Sequence, residues 1–268
     1  MTDTAGSGSR VELSIADRVA TISFNRPEVR NAIDDAMRSE FQAALERVAT
    51  DDDVRAVVLT GKGSAFCAGG DIAGMQKRLA APPGEVAFTG WTRQRRLHQG
   101  VTMLHTLPKP TIAAVNGAAA GLGCDLALCC DFIIASDAAM FTMSFILRGL
   151  VPDGGGMYFL PRRVGLARAK ELIFTGRRVD SKEALAIGLA DRVTAANTLL
   201  ADAQAWAKEL SRGSPTAVAL SKSILDQTFE LTAEQALALG REAQAICYTT
   251  AEHQAAVAAF LDKTKRQR

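Results

Sequence analysis

Two glycine-rich turns, each following a short apolar strand, constrain the fold of this chain more than any other feature. The first turn spans 61–71 and follows the apolar segment 56–60, and the second spans 116–125 and follows 112–115. Glycine permits tight or left-handed backbone and the close approach of a ligand. Since strands that alternate with helices indicate an α/β core, both turns are predicted to lie where a strand leads into a helix.

The remaining pattern supports an α/β fold followed by a helical region. Apolar and polar residues alternate around a turn in segment 11–24, which is typical of a hairpin, and 33–48 has apolar residues at helical spacing. A third apolar strand is predicted at 132–135. Helix starts are indicated by three pairs with capping-box spacing and by a serine–proline pair. These are Asp180 with Glu183, Thr232 with Gln235, Thr249 with Glu252, and Ser214 with Pro215. Four C-terminal helices are predicted, over 198–212, 215–230, 233–247 and 250–262.

This pattern divides the chain into a flexible tail at 1–10, a core domain at 11–197 and a helical region at 198–268. The tail is rich in Gly, Ser and Thr and has no apolar period. Segment 76–100 contains Pro82, Pro83 and Gly84 and is the most linker-like internal stretch. It is interpreted as either a mobile flap over a site or a plain surface loop.

Composition argues against several classes of function. Thirty-one basic and 29 acidic residues give a net charge of +2, which is too balanced for a nucleic-acid partner. Five cysteines without a CxxC pair argue against a disulfide framework or zinc site and predict a reducing, cytoplasmic location. The weakly charged run 111–130 contains Asn116, Asp125 and several glycines, so no membrane span is expected. With only three histidines, no histidine-rich metal site is expected.

The glycine turns themselves suggest an anion site. Free N–H groups at a helix start attract negative charge, and two such turns facing each other could hold one oxyanion. Equally, the glycines could serve only to allow tight packing of strand against helix. Nucleotide and hydrolase motifs are missing: there is no GxxxxGK[ST], no HExxH, and Ser64 lies in no GxSxG. Leu126 stands where a dinucleotide fingerprint requires Gly or Ala.

Four segments in consistent order, 25–32, 65–71, 116–131 and 174–190, resemble the crotonase superfamily, the enoyl-CoA hydratase/isomerase family. The resemblance covers nearly all of 11–262. It implies a spiral of repeated ββα units with C-terminal helices that pack homotrimers, often paired into hexamers. It also implies an acyl-CoA thioester as substrate, with no metal, no redox cofactor, no nucleic acid and no membrane.

The resemblance assigns roles to individual residues of this chain. It places an oxyanion hole on the backbone amides of Ala68 and Leu122. Substrate and coenzyme A contacts are implied for residues of both turns, two early arginines, an aromatic residue and the C-terminal helix. These residues are Arg26, Arg30, Ala68, Gly69, Gly70, Asp71, Ile72, Gly121, Phe145, Phe260 and Lys263. The last two are similar to residues that reach a neighbouring subunit's coenzyme A.

Three positions decide the reaction in this family, and here they hold Asp125, Phe145 and Asp153. Hydratases carry glutamate at the first two, because two carboxylates must hold and activate one water. Phe145 cannot do so. Asp153 lies in a Pro-Asp-Gly-Gly segment that resembles enoyl-CoA isomerases, including those acting on ring-derived intermediates. Asp153 is therefore predicted to move a proton between carbons of a 3-enoyl-CoA, and burial should raise its pKa.

Other interpretations remain open from sequence. Asp153 could simply cap a helix, and Asp125 could support weak hydration or pair within its own helix. Dienoyl-CoA isomerases are similar but carry glutamate where Phe145 stands. Aromatic-acyl-CoA dehalogenases are also similar, with His98 as the counterpart of their histidine. Cys67 is an unsuitable nucleophile because nothing nearby in sequence activates it. A non-catalytic acyl-CoA-binding protein is the remaining alternative.

Overall fold

A large, mostly parallel sheet forms the base of the fold. The computed structural model describes residues 8–72, 74, 76 and 80–266, so residues 1–7 of the predicted tail lie outside it. The strands of this sheet are β1 (Val11–Ala16), β2 (Val19–Phe24), β3 (Ala56–Gly61), β5 (Thr111–Val115), β7 (Phe132–Ser136) and β10 (Arg192–Thr194). Their order is β1-β2-β3-β5-β7-β10; β1 and β2 form the predicted antiparallel hairpin, and the other pairs are parallel.

A smaller sheet lies beside the first. Its strands are β4 (Ala65–Cys67), β6 (Ala118–Ala120), β8 (Met140–Thr142) and β9 (Arg178–Asp180), in that order. Successive strand pairs β3–β4, β5–β6 and β7–β8 each contribute one strand to either sheet, and a helix follows each pair. The repeated ββα units and the α/β class expected from sequence are thus confirmed.

Helices cover both faces of the large sheet, which explains why its inner strands are apolar on both sides. In the core these are α1 (Asp35–Thr50), α2 (Pro83–His105), α3 (Leu122–Cys129), α4 (Gly156–Val164), α5 (Leu166–Thr175) and α6 (Ser181–Ala186). One face packs a large cluster that includes Phe24, Phe66 and Leu126. The other packs a smaller cluster around Ile112 and Trp206.

The predicted C-terminal helical region is present. Its helices are α7 (Leu199–Leu210), α8 (Pro215–Leu225), α9 (Ala233–Tyr248) and α10 (Ala251–Arg266). Thr232 and Gln235 form the predicted capping box of α9, and Ser214 caps α8 ahead of a proline at its first position. The prediction for Thr249 is wrong by one residue, because Thr250 accepts the amide of His253 whereas the hydroxyl of Thr249 donates to Ile246 O.

The prediction of a linker-like stretch at 76–100 is wrong for most of its length, since α2 occupies Pro83–His105. Proline is tolerated at the first helical position, where its missing N–H has no partner to lose. A glycine inside a helix costs about 1 kcal/mol relative to alanine. In α2 the burial of Leu97, Val101 and Leu104 against the core offsets this cost. Among the described helices, none has the length and apolar character to cross a membrane.

Candidate active site

The two glycine turns meet because β4 and β6 are parallel neighbours and end at the same edge of the small sheet. Gly69 has φ +97°, and a Cβ there would lie 2.7 Å from Ala120 O and 3.4 Å from Leu122 N. A Cβ at Gly123 would lie 2.2 Å from Cys67 O. Both positions therefore require glycine, and the first turn lies directly against the start of α3.

Hydrogen bonding shows which amides of these turns are available to a ligand. The N–H of Ala68 donates to Arg30 O at 2.9 Å, so the prediction that Ala68 supplies an oxyanion donor is wrong. The N–H of Gly69 is directed to Cys67 Sγ at 3.4 Å. Within the described residues, the N–H groups of Gly70 and Leu122 have no acceptor. Leu122 is the first residue of α3, where helix geometry leaves the N–H unpaired.

Asp153 lies in the turn that precedes α4, and its side chain is half-buried. The helix begins at Gly156 with Gly155 as its N-cap and no side-chain cap, so the capping interpretation of Asp153 is wrong. Burial raises the pKa of Asp153 above its ordinary value. Its own amide, the nearby charges of His98 and Arg93, and a hydrogen bond from Gln94 oppose this rise in pKa.

Helix α2 holds residue 153 from two positions one turn apart. Gln94 lies close enough to the carboxylate to lower its pKa, and His98 Nε2 lies 2.9 Å from the backbone oxygen of Asp153. Since a carbonyl oxygen only accepts, this contact requires the proton on Nε2. The hydrogen bond of His98 is therefore made to the main chain of Asp153, not to its carboxylate. Gln94 could not be recognised from sequence because its stretch resembles a linker, although Leu97, Val101 and Leu104 have helical spacing.

Asp125 is fully buried in α3 and lies below the same turn. Its Oδ2 accepts the N–H of Gly154 at 2.9 Å, and Oδ1 has no hydrogen-bond partner among the described residues. Burial, followed by the charge of Asp153, raises the pKa of Asp125 well above its ordinary value, although the amides of Gly154 and Gly156 oppose this. Asp125 thus neither caps nor pairs within its own helix; it supports the turn that carries Asp153.

The glycines after Asp153 are explained by this support. A Cβ at Gly154 would lie 2.6 Å from Leu122 Cδ1 and 2.7 Å from Asp125 Oδ2. At Gly156 it would lie 2.4 Å from Asp125 Oδ1. Only a backbone without side chains can therefore rest on the Asp125 carboxyl group, and the same contact brings Asp153 next to the start of α3.

Phe145 completes the apolar side of the site. Its ring is half-buried, packs on the core, and lies 3.8 Å from the position of a Cβ on Gly121. Gly121 has φ +51° and directly precedes α3. An aromatic ring at this point makes this side of the glycine turn apolar and offers no polar atom to bind a water.

The predicted coenzyme A contacts are only partly available. Arg26 is turned inward, where it lies 3.2 Å from both Asp34 and Asp71, so it is not free to bind a phosphate as predicted. Arg30 is exposed and has no ion-pair partner among the described side chains. Ile72, at the end of the first turn, is 63% exposed.

The two C-terminal candidates lie on α10, which packs against α9. Phe260 is 70% exposed. The side chain of Lys263 lies outside the described part of the structure.

Cys67 is buried, which raises the pKa of its thiol to about 12 and disfavours a thiolate nucleophile. Within the described residues, no three or more His, Cys, Asp or Glu side chains are arranged to hold a metal ion.

Comparisons with known proteins agree on one family. Residues 14–267 match the model of the family described as enoyl-CoA hydratase/isomerase. The chain is 36% identical over 249 residues to a 1,2-epoxyphenylacetyl-CoA isomerase of Escherichia coli K12, covering 93% of this chain and 94% of that protein. It is 35% identical over 258 residues to a short-chain-enoyl-CoA hydratase of Clostridium acetobutylicum, covering 96% of each.

Solved structures show the same relationship. An enoyl-CoA hydratase/isomerase from Cupriavidus metallidurans CH34 superposes with a TM-score of 0.89 at 34% identity, covering 97% of this chain and 96% of that one. An enoyl-CoA hydratase from Polaromonas sp. JS666 gives a TM-score of 0.88 at 33% identity, covering 94% and 97%. Similar proteins thus carry both hydratase and isomerase names.

Proposed function

The chain belongs to the enoyl-CoA hydratase/isomerase family, and within it we propose that the protein moves the double bond of a 3-enoyl-CoA thioester to carbon 2, with Asp153 as acid and base. The observation that carries this proposal is the unequal placement of the carboxyl groups. Asp153 is half-buried beside the start of α3, whereas Asp125 is fully buried and bound to the Gly154 amide. One carboxylate is therefore available to a substrate.

A double-bond shift requires only one base. In the proposed reaction, Asp153 takes a proton from carbon 2 of the thioester. The electrons of that C–H bond form a C1–C2 double bond while the carbonyl π electrons move to the thioester oxygen, which gives a dienolate. Negative charge on the thioester oxygen is held by the N–H groups of Gly70 and Leu122, which have no acceptor among the described residues. The neutral Asp153 then gives its proton to carbon 4. The oxygen re-forms the carbonyl, the C1–C2 π electrons form the new C2–C3 double bond, and the C3–C4 π electrons bind the proton.

The raised pKa of Asp153 suits this role. A carboxylate that is a stronger base than free aspartate gains driving force for taking a proton, and its conjugate acid can still return it. Gln94 orients the carboxylate, and His98 fixes the backbone of the same residue. In this proposal these two are positioning residues on α2, and the exposed side chain of Arg30 is the phosphate contact.

Hydration of a 2-enoyl-CoA is the competing function, and the hydratase names of several relatives favour it. That reaction needs a base for water and an acid for carbon 2. Phe145 supplies neither, and Asp125 is fully buried beneath the turn, with its Oδ2 bound to Gly154. The isomerase name of the E. coli relative supports the double-bond shift.

Assaying the purified protein with two substrates separates these functions. With 3-hexenoyl-CoA, isomerisation increases the ultraviolet absorbance as the double bond becomes conjugated with the thioester; with crotonyl-CoA, hydration decreases it. We expect isomerisation to exceed hydration in kcat/KM by at least roughly a hundredfold, because a single base serves only the first reaction. Faster hydration that is lost in Asp125→Asn would establish the hydratase. Binding of both esters without turnover would indicate a non-catalytic protein.

We also propose that the protein is a homotrimer, alone or paired, built through the C-terminal helices. Apolar side chains on or next to α8–α10 are exposed in the single chain, including Phe229 at 75%, Leu237 at 72% and Phe260 at 70%. Exposed apolar surface of this kind marks an interaction site. Sedimentation equilibrium should give three or six chain masses, and a concentration-independent monomer would contradict this proposal.

A further inference from the structure

A groove of about 470 Å³ lies between the first turn of α1 and the first half of α2, and the proposed reaction leaves its purpose unexplained. Its α2 lining lies on one helical face, because the residues involved are three or four positions apart. These residues are Thr89, Thr92, Arg93 and Arg96, with Phe88 beside them and Asp35 and Arg38 opposite. The volume is that of a small-ligand site.

The groove is basic, since it is lined by three arginines and one aspartate. Arg38 is only 6% exposed, and its Nη1 bonds Asp35 at 2.5 Å. Its Nε and Nη2 are buried with no hydrogen-bond partner among the described residues. Within segment 73–79, the residues outside the description carry no acidic side chain. A buried guanidinium with open donors favours a planar anion such as a carboxylate.

Helix α2 connects this groove to the candidate active site. Arg93 lines the groove and also lies close enough to Asp153 to act on its charge. The next residue, Gln94, lies close enough to the Asp153 carboxylate to lower its pKa. In the proposed complex, an acyl chain with its carbons 2 to 4 at Asp153 would extend past Arg93 toward the groove.

We propose that this groove binds a carboxylate at the far end of the acyl chain, so that the substrate is the mono-CoA thioester of an unsaturated dicarboxylic acid. This inference rests on the proposed function, which places the thioester end of the substrate at Asp153. A phosphate of coenzyme A is the other group of the ligand that could occupy the groove. Either group would place an anionic oxygen against Arg38 and Arg96, and the calorimetric experiments below distinguish the carboxylate from the phosphate.

Calorimetry with saturated analogues tests the inference without requiring turnover. Adipyl-CoA and hexanoyl-CoA differ only at the far end of the chain, as do suberyl-CoA and octanoyl-CoA. In at least one pair, we expect the thioester with the terminal carboxylate to bind roughly tenfold to a hundredfold more tightly than its uncharged counterpart. This gain is typical of a charge-assisted hydrogen bond in a desolvated site. Equal affinities within both pairs would overturn the inference.

Two arginines of α2 give a matched pair of variants. Arg96→Gln removes an exposed charge that lines the groove and should reduce the preference for the acid by about tenfold, leaving hexanoyl-CoA binding unchanged. Arg95→Gln removes the same charge from a neighbouring exposed position, where the guanidinium lies 5.1 Å from the Trp91 ring, and should leave the preference intact. Equal weakening of both esters by Arg96→Gln would assign the groove to a coenzyme A phosphate and overturn the inference.

The two proposals can fail independently. If neither 3-hexenoyl-CoA nor 3-hexenedioyl-CoA is isomerised but adipyl-CoA is still preferred, the proposed reaction is wrong and the anion groove stands. If both substrates are isomerised with equal kcat/KM and the saturated pairs bind equally, the reaction stands and the groove does not bind the acyl chain.

Discussion

Replacing Asp125 with asparagine tests whether the buried carboxyl group below Asp153 keeps its proton in the folded protein. Asp125 has no exposed surface, and its Oδ2 accepts the Gly154 N–H at 2.9 Å. Burial and the charge of Asp153 raise the pKa of Asp125 well above its ordinary value. In the unfolded chain an aspartate loses its proton at about pH 3.9. Asparagine is close in shape, is neutral, and keeps the oxygen that Gly154 requires.

The sign of the effect follows from proton uptake. Between the unfolded pKa near 3.9 and the raised folded pKa, the folded wild type binds one proton more than the unfolded chain. The free energy of unfolding of wild type therefore falls by up to about 1.4 kcal/mol per pH unit as pH rises through this window. The Asp125→Asn variant has no such proton to take up. The difference in free energy of unfolding between Asp125→Asn and wild type should therefore increase by up to about 1.4 kcal/mol for each pH unit.

Urea unfolding followed by circular dichroism, from about pH 4.5 to 7.5, measures this difference. Asp125→Ala serves as the control, because it also lacks the proton but leaves the buried Gly154 N–H without an acceptor, at a cost of about 1–3 kcal/mol throughout. Parallel stability profiles for wild type and Asp125→Asn would refute the reasoning. They would mean that Asp125 is ionised in the fold, which would restore it as a second carboxylate for hydration.

Three further perturbations test the site and its support. Leu122→Pro removes the N–H of the proposed oxyanion donor at the first position of α3, where proline is tolerated, so kcat should fall roughly 10²- to 10³-fold. The control Leu122→Ala keeps this N–H and should keep most of the activity. Gly154→Ala places a methyl group 2.6 Å from Leu122 Cδ1 and should cost about 1–3 kcal/mol in urea unfolding. The control Gly90→Ala meets nothing within 4 Å and should not destabilise. Lys222→Met removes the cation of the 2.9 Å Lys222–Asp131 ion pair and leaves Asp131 with only its hydrogen bonds from Thr111, so a loss of about 1–3 kcal/mol is expected by the same measurement.

Local chemistry made much of the fold predictable. The hairpin at 11–24 could be identified because alternating residues flank a turn, and Asp17 and Arg18 there adopt positive φ. The starts of α8 and α9 could be identified because Ser214 and Thr232 are caps whose hydrogen bonds are made within a few residues. Such features depend on the immediate sequence alone, so no knowledge of tertiary contacts was needed.

Helix α2 was missed for a tertiary reason. Pro82, Pro83 and three glycines lower its intrinsic helix propensity, and only packing of its second half against the core compensates for this. The error extended to the site, because Gln94 and Arg93 came from the misassigned stretch. Neither the contact of Gln94 with Asp153 nor the groove beside Arg93 could be recognised without the helix.

The proposed pair of oxyanion donors was only half predictable. The resemblance indicated the amide of Leu122, but the predicted turn 116–125 placed this residue before the helix. It is the first residue of α3, where the backbone must leave N–H groups unpaired. Ala68 and Gly70 lie two residues apart in the same turn, and the choice between them depends on which amide meets Arg30 O. That contact joins segments almost 40 positions apart in sequence, so the pattern of glycines could not determine it.

The central claim is that Asp153 alone moves the proton, and the rate of 3-hexenoyl-CoA isomerisation by Asp153→Asn tests it most directly. We predict a loss of at least roughly 10³-fold in kcat, with hexanoyl-CoA affinity and the urea midpoint close to those of wild type, because asparagine keeps the contact with Gln94 but cannot accept a proton. An Asp153→Asn variant that isomerises the substrate within about tenfold of the wild-type rate would contradict the mechanism.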